Sequence, residues 1–392
     1  MKATTPRRLL LPTLLAATFA AVAPAQDLLL RASRIVVAPD TVLDDAAVLV
    51  RQGKVAYVGA DIPAEARAQA RLVDYGDATV VPGFVLAVTT LGRDRDLAEG
   101  ALAFTPDLRA VEAFDPWQKE LLGLPAHGIT SLSLSPSPRN VAGGIAALVK
   151  PGAKRGSVAT SDLHVQWSLT QASRSQERDP TSLVGAIDML RSALAAAKLG
   201  TSTSPDLAIM RQVQQGTRRV FVHADSFVEL AAALDLAKEF GFEPVLVGAR
   251  EADKVLARLV AQKAAVVLDT LQPEGRLADL TLPARLAQAG VPFAFAGTPE
   301  RLRLSAALAV RHGLDRKTAL AALTRTPARL LEQQATVGAL RQGNAADFLV
   351  FRGDALDLGA AHVATWVDGV LLHGDLPKKA NAAPTTTATG AL

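Results

Sequence analysis

The sequence predicts an α/β fold, a run of βα units enclosed between two β-rich ends. Three observations predict it. Between about Pro82 and Leu331, short apolar or β-branched runs alternate with amphipathic helical stretches, the pattern of strands and helices around a parallel sheet. Leu28–Val58 ahead of that region, and Val337–Leu372 behind it, read as short strands joined by turns. With 49% hydrophobic and 20% charged residues, the 392-residue chain has the composition of a globular protein with a large core.

The chain opens with Lys2, Arg7 and Arg8, then the apolar run Leu9–Ala23, then Ala23-Pro24-Ala25 ahead of Gln26. A basic start, an apolar stretch short for a bilayer and an Ala-x-Ala site make a secretory signal peptide over 1–25, cleaved after Ala25. The expectation is a secreted or periplasmic protein with no membrane attachment once the leader is gone; the rival reading is an uncleaved anchor. The net charge of +4 rests largely on that leader. Without its three basic residues the charges nearly balance, which argues against nucleic acid as a partner. There is no cysteine, so disulfides, a thiol nucleophile and a lipidated cysteine are excluded.

Taken in order, Leu28–Ala32, Arg34–Val37, Ala46–Val50 and Lys54–Gly59 read as strands, with Gln52-Gly53 turning a hairpin between the last two. Trp117–Leu124 is a helix leading into the strand Gly128–Leu134. Pro180–Lys198 and Asp206–Gln215 are amphipathic helices. Arg219–Asp225 is a strand with polar residues at its end, and Phe227–Phe240 a helix stopped by Gly241. Pro244–Gly248, Ala264–Asp269 and Pro292–Gly297 continue the strands, and Glu251–Gln262, Leu302–His312 and Arg316–Leu323 the helices. The tail 379–392, rich in Ala and Thr, reads as disordered.

One stretch organises the rest: Val80-Val81-Pro82-Gly83-Phe84-Val85-Leu86-Ala87-Val88-Thr89-Thr90-Leu91-Gly92. It is a buried strand opened by Pro-Gly. It resembles the stretch that opens the barrel of the amidohydrolase superfamily, Val-x-Pro-Gly, two hydrophobic residues, then Asp-x-His-x-His and Gly. Gly128-Ile129-Thr130-Ser131, Gly143–Lys150, His223-Ala224 with Glu239-Phe240-Gly241, and Ala321–Arg329 are similar, in the same order, to its imidazolonepropionase-like branch. Val337–Phe351 resembles the pattern Gly-x-Leu-x-x-Gly-x-x-Ala-Asp-hydrophobic-Val, in which Asp347 is expected to cap or turn the backbone, and Trp366–Leu372 the hairpin that follows. The resemblance implies a TIM-like (β/α)8 metal-dependent hydrolase barrel over 81–331. It also implies a small composite β-sandwich made of 26–80 and 332–378.

In that family the two histidines of His-x-His bind a catalytic metal, two apart because alternate strand residues share a face. Here those positions are Val88 and Thr90, and the preceding Asp is Leu86. The resemblance places a later histidine at Gly248, and the last-strand Asp at Pro299, after Gly297-Thr298. It leaves the bridging lysine to Lys150 or to a position near Gln166. His223 alone is a clear match. One imidazole does not hold a catalytic metal, since three or four ligands are needed. The sequence therefore reads as a degenerate member with no cofactor expected; the alternative is one divalent metal such as Zn.

Each remaining polar residue has a functional and a plain reading. His223 is a ligand contact, a remaining metal ligand, or a strand-end histidine satisfied by backbone or by Asp225. Asp225 is a base or ligand contact, or an N-cap of Phe227–Phe240. Asp269 and Glu300 are the weak catalytic candidates; Asp269 otherwise starts a turn, and Glu300 otherwise sits in a helix first turn. Val88, Thr90, Gly248 and Thr298 fall at the expected mouth. His127 and His312 read as helix-end residues. His164 and Trp167 read as a loop overhanging the mouth or as ordinary packing, and Arg174, Arg178 and Lys150 as contacts for an acidic ligand or surface charges.

Three functions follow. The first is a catalytically impaired amidohydrolase homologue that binds a small ligand in the mouth or supports an active paralogue. The second is a hydrolase of carbon–nitrogen bonds such as cyclic amides, with a rebuilt metal site. The third is a structural or interaction protein whose mouth is plugged by Val88, Phe295 and Trp167, as a homo-oligomer or in a pair with the paralogue.

Overall fold

The hairpin β1 (Leu28–Ala38) and β2 (Thr41–Arg51) runs in continuous register from Leu28 opposite Val50 to Val36 opposite Val42, so the two strands expected on either side of Ser33 are one. β3 (Lys54–Gly59) follows through Gln52 (φ 50°) and Gly53 (φ 75°), the left-handed pair that a two-residue hairpin requires. β4 (Arg71–Asp74) and β5 (Thr79–Pro82) both lie parallel to β1. The computed structural model of the chain describes residues 27–62, 64–200 and 203–377. The expected leader, 1–25, and the expected tail, 379–392, lie outside the described residues.

β6 (Phe84–Thr89) and β7 (Ile129–Leu134) pair in parallel. Ala142–Lys150 then breaks at Ala146 into two halves, β8 (Ala142–Ile145) and β9 (Ala147–Lys150). β9 runs antiparallel to β7, with β10 (Ser157–Thr160) on its other edge, and β8 runs antiparallel to β11 (Val165–Ser168). β12 (Val220–Ala224), β13 (Pro244–Gly248), β14 (Ala265–Leu268) and β15 (Phe293–Phe295) continue from β11, each parallel to the last. Because β7 and β11 both oppose Ala142–Lys150, the strands β6, β7 and β11–β15 all point the same way. Their C-terminal ends share one end of the molecule. β15 lies against β6, but among the described residues no ladder joins them, and hydrogen bonding divides these strands into a sheet of four and a sheet of six.

Helices cover this core, and their ends follow from local chemistry. Leu183–Leu199 starts at Ser182, whose hydroxyl accepts from the Gly185 N–H, and stops at Gly200 in the left-handed region. Phe227–Phe240 starts with a capping box between Ser226 and Glu229. Ser226, not Asp225, is the cap. Leu277–Gln288 has no counterpart in the sequence expectations because Pro283 interrupts its pattern. Trp167 packs edge-on against Phe242, just beyond helix Phe227–Phe240, so Trp167 faces the helical layer. Alternation turns Gln166 and Ser168, and across the ladder Phe221 and His223, to the opposite face. Full burial of a side chain such as Phe221 or Leu246 contributes about 1.5–3 kcal/mol.

β16 (Phe348–Arg352), β17 (Ala361–Val367) and β18 (Val370–Gly374) return to the first strands. β16 lies antiparallel to β5, with Phe348 opposite Pro82, giving one mixed sheet in the order β18-β17-β16-β5-β1-β2-β3, with β4 beside β1. Its core includes Trp366 stacked on Phe348, the Trp366 Nε1 donating to the Tyr75 hydroxyl at 3.1 Å.

Candidate functional site at the C-terminal strand ends

Two polar clusters sit at different ends of the parallel strands. The first is at the start of β6 and β7. Lys150 ends β9, and its ammonium donates to Asp347 at 2.9 Å and to Asp368. Asp347 also accepts from the Ser131 hydroxyl and from the Asp368 N–H. Burial works against the Lys150 charge, but the two carboxylates outweigh it and hold its pKa above the ordinary value. Lys150 is therefore spent on this junction rather than on a metal, and Asp347 caps a backbone N–H, as expected, while also holding the buried ion pair.

The second cluster lies at the C-terminal ends. Gln166 Nε2 donates to the Pro136 carbonyl at 2.8 Å and approaches His223 Nε2 at 2.6 Å. The amide is the donor there, so His223 carries its proton on Nδ1. Lost hydration lowers the His223 pKa to about 4. His164 is not a loop residue over the mouth. It is buried just before β11, stacked on Phe221 at 3.7 Å, and neither ring nitrogen finds a hydrogen-bond partner. Burial takes its pKa to about 3.

Asp225 and Asp269 follow β12 and β14 and line one cavity of about 450 Å3 with Gly248 and Arg250. Gly248 has φ 86°, and a Cβ there would stand 2.2 Å from Asp225 Oδ1. The Asp225 carboxylate thus occupies the space of a side chain at 248. Its Oδ2 accepts from Arg250 at 3.3 Å, while Oδ1 is enclosed without a partner. Withdrawal from water raises the pKa of Asp225, and of Asp269, where the Asp225 charge adds to it. Arg250, two residues past a strand end, is the residue that sequence reasoning missed; its place in Gly248-Ala249-Arg250 was the available signal.

The other candidates do not join this cavity. Val88 belongs to the apolar core, and Thr90 is half-buried past the end of β6. The Thr298 N–H donates to Thr270 Oγ1, and a Cβ at Gly297 would meet the same hydroxyl at 2.3 Å. Glu300 lies in the turn Pro299–Arg301, 3.8 Å from His127 Nε2. Arg174 pairs with Glu229, and Arg178 donates to the carbonyls of Glu99, Leu102 and Arg139, so neither is open to an acidic ligand. Trp167 faces the helices and plugs nothing. A second hollow of about 300 Å3 lies between the segment Asp96–Ala113 and β8. Its Asn140 is used up holding Glu99 and Leu102 backbone. Among the described residues no three His, Asp or Glu side chains converge to hold a metal ion. The donor set does not fit a hydrolytic metal centre.

Residues 292–373 match the model of the amidohydrolase family. The structure of an amidohydrolase from Thermotoga maritima MSB8 is similar over 89% of this chain and 100% of that one, with a TM-score of 0.76 and 22% identity. The ochratoxinase of A. niger is similar over 90% and 96%, with a TM-score of 0.57 and 17% identity. The amidohydrolase tasK of Hapsidospora irregularis is 38% identical over 72 residues, which is 18% of this chain and only 7% of that relative. At these identities the two structures bear on fold alone, a mixed α/β fold of the kind that amidohydrolases share. The family match spans the last parallel strand and the C-terminal strands, and with the short match to tasK it supports membership of the amidohydrolase superfamily.

Proposed function

We propose that this chain is a secreted amidohydrolase homologue that no longer performs metal-dependent hydrolysis and instead binds a small ligand at the C-terminal strand ends. The observation that carries the reading is at Gly248. The position where the family resemblance expects a histidine has no side chain, and a carboxylate with an enclosed, unpartnered oxygen fills the space. Val88, Thr90 and Pro299 at the other expected ligand positions support it, as does the use of His223 Nε2 by Gln166. The finer architecture belongs to the same proposal: a TIM-like barrel closed between β15 and β6, a composite sandwich of the two chain ends, and a leader removed after Ala25. Support of an active paralogue is a second use of the same surface.

The test is elemental analysis of protein purified without chelator, repeated after dialysis against zinc and against manganese. The expected result is no stoichiometric metal in either case and no turnover of amides, lactams or hydantoins. Near one metal per chain, lost in His223→Ala, together with turnover, sinks the proposal and favours the rebuilt hydrolase.

A further inference from the structure

A cavity of about 230 Å3 lies where the mixed sheet of the two chain ends meets the helices, and it shares no lining residue with either polar cluster. One wall is a sheet face. Arg34 and Val36 alternate on β1, and Thr79 and Val81 on β5, with Thr79 beside Arg34; Val42 on β2 stands opposite Val36. Strand residues two apart share a face, so these side chains stand together. The other wall is helix Arg316–Ala321, through Arg316, Lys317 and Leu320, with the loop Asp354–Leu356.

The apolar and charged parts of the lining divide. Val36, Val81, Leu320, Ala355 and Leu356 are buried, while Val42 is 40% exposed. Three cations line the space, Arg34, Arg316 and Lys317, against one carboxylate, Asp354. That carboxylate is used up. One of its oxygens takes Arg316 at 2.7 Å and the Leu356 N–H at 2.7 Å, and the other takes Arg316 Nε at 3.3 Å. Nearby acids do not reach the remaining cations: Asp40 is paired with Arg325, and Asp44, opposite Arg34 in the ladder, makes no ion pair with it. Among the described residues the side chains of Arg34 and Lys317 make no hydrogen bond or ion pair. The surplus of positive charge shows at Asp354. Burial works to raise its pKa, yet the bonds from Arg316 and the Leu356 N–H, with the charges of Arg316 and Arg34, hold it below the ordinary value.

We propose that this cavity binds a small organic carboxylate with an apolar body, the carboxylate held by Arg34 and Lys317 and the body against Val36, Val42, Val81 and Leu320. A guanidinium offers two parallel N–H donors that match a carboxylate, and an ammonium adds a point charge. The volume is below the roughly 300–1,000 Å3 of pockets for drug-sized ligands, so the body is short. The site is separate from the ligand reading at the strand ends and does not rest on it.

The probes are hexanoate, hexanol and hexylammonium, which share a chain and differ in charge. Binding is measured by calorimetry on the full mature chain near neutral pH. Hexanoate is expected to bind at least ~10-fold more tightly than hexanol, the ratio that one charge-assisted hydrogen bond supplies, and hexylammonium weakest of all. Arg34→Gln and Lys317→Gln change exposed residues, so the fold is kept, and each is expected to remove most of that ratio. Lys119→Gln, a charge outside the cavity, is expected to leave it as it is.

Equal affinity for hexanoate and hexanol, a ratio unchanged in both Arg34→Gln and Lys317→Gln, or no binding of hexanoate at millimolar concentration overturns the proposal. An equal loss in Lys119→Gln also does so, because it marks a general effect of net charge.

Discussion

The two polar clusters have similar ingredients and opposite states. At the start of β7, Lys150, Asp347, Asp368 and Ser131 satisfy one another in a junction between the central strands and the terminal sheet that is buried except at Asp368. At the other end, Asp225 and His164 keep buried atoms without a hydrogen-bond partner. A buried polar group normally finds its partner within the fold. Where it does so, as at Lys150, its role is to hold the chain. Where it does not, the fold carries the cost of an uncompensated polar atom.

Three experiments break or sharpen that contrast. The largest effect is expected from Lys150→Met, which strands Asp347 in a dry site with its partner gone. The expected loss is about 3–5 kcal/mol in denaturant unfolding. A loss below about 1 kcal/mol means that the junction is wet and the contrast false.

Acid comes next. His164 is neutral when folded, with a pKa of about 3 against an ordinary 6.5. Its contribution is therefore complete above pH 6.5 and is lost progressively as the pH falls from 6.5 toward 3, as the unfolded chain takes up the proton first. The expected loss is on the order of 4 kcal/mol by pH 3, with a shallower acid limb in His164→Phe, which keeps the stack on Phe221. An unchanged limb in that variant shows that the ring is hydrated.

The smallest effect is expected at Gly248→Ala. The residue has φ 86°, and the new methyl group meets Asp225 Oδ1. A loss of roughly 1–3 kcal/mol follows, as for a strained left-handed residue. Unchanged denaturant unfolding in this variant shows that Asp225 yields the space at no cost.

Much of this was legible in the sequence where one physical rule acted alone. Gln52-Gly53 required its left-handed turn, Gly241 ended its helix, and the apolar run Val220–Val222 with polar residues at its end marked the strand that carries His223. The sequence hid what depends on more than one segment. Leu277–Gln288 was obscured by Pro283, tolerated inside the helix. Asp225 was the expected cap of Phe227–Phe240, but it is the Ser226 hydroxyl that accepts from the Glu229 N–H, one residue on. Lys150 and Asp347 stand 197 residues apart, and no local pattern announces that they touch. The cavity charges were half visible: Asp225 and Asp269 were marked as strand-end residues, but that they line one cavity is a fact of three dimensions.

The sheet shared by the two ends of the chain also bears on how the molecule is made. β5 is complete once residue 82 has been synthesised, yet its partner on one side is β16, which ends at Arg352. For the whole time between, β5 presents an unpaired edge of backbone donors and acceptors beside the apolar residues Val80 and Val81. Closing so long a loop is slow, and an edge left open is a place for other chains to add. A chain that stops before β16 keeps that edge permanently, so truncation near the C-terminus leads to aggregation rather than to a smaller folded protein.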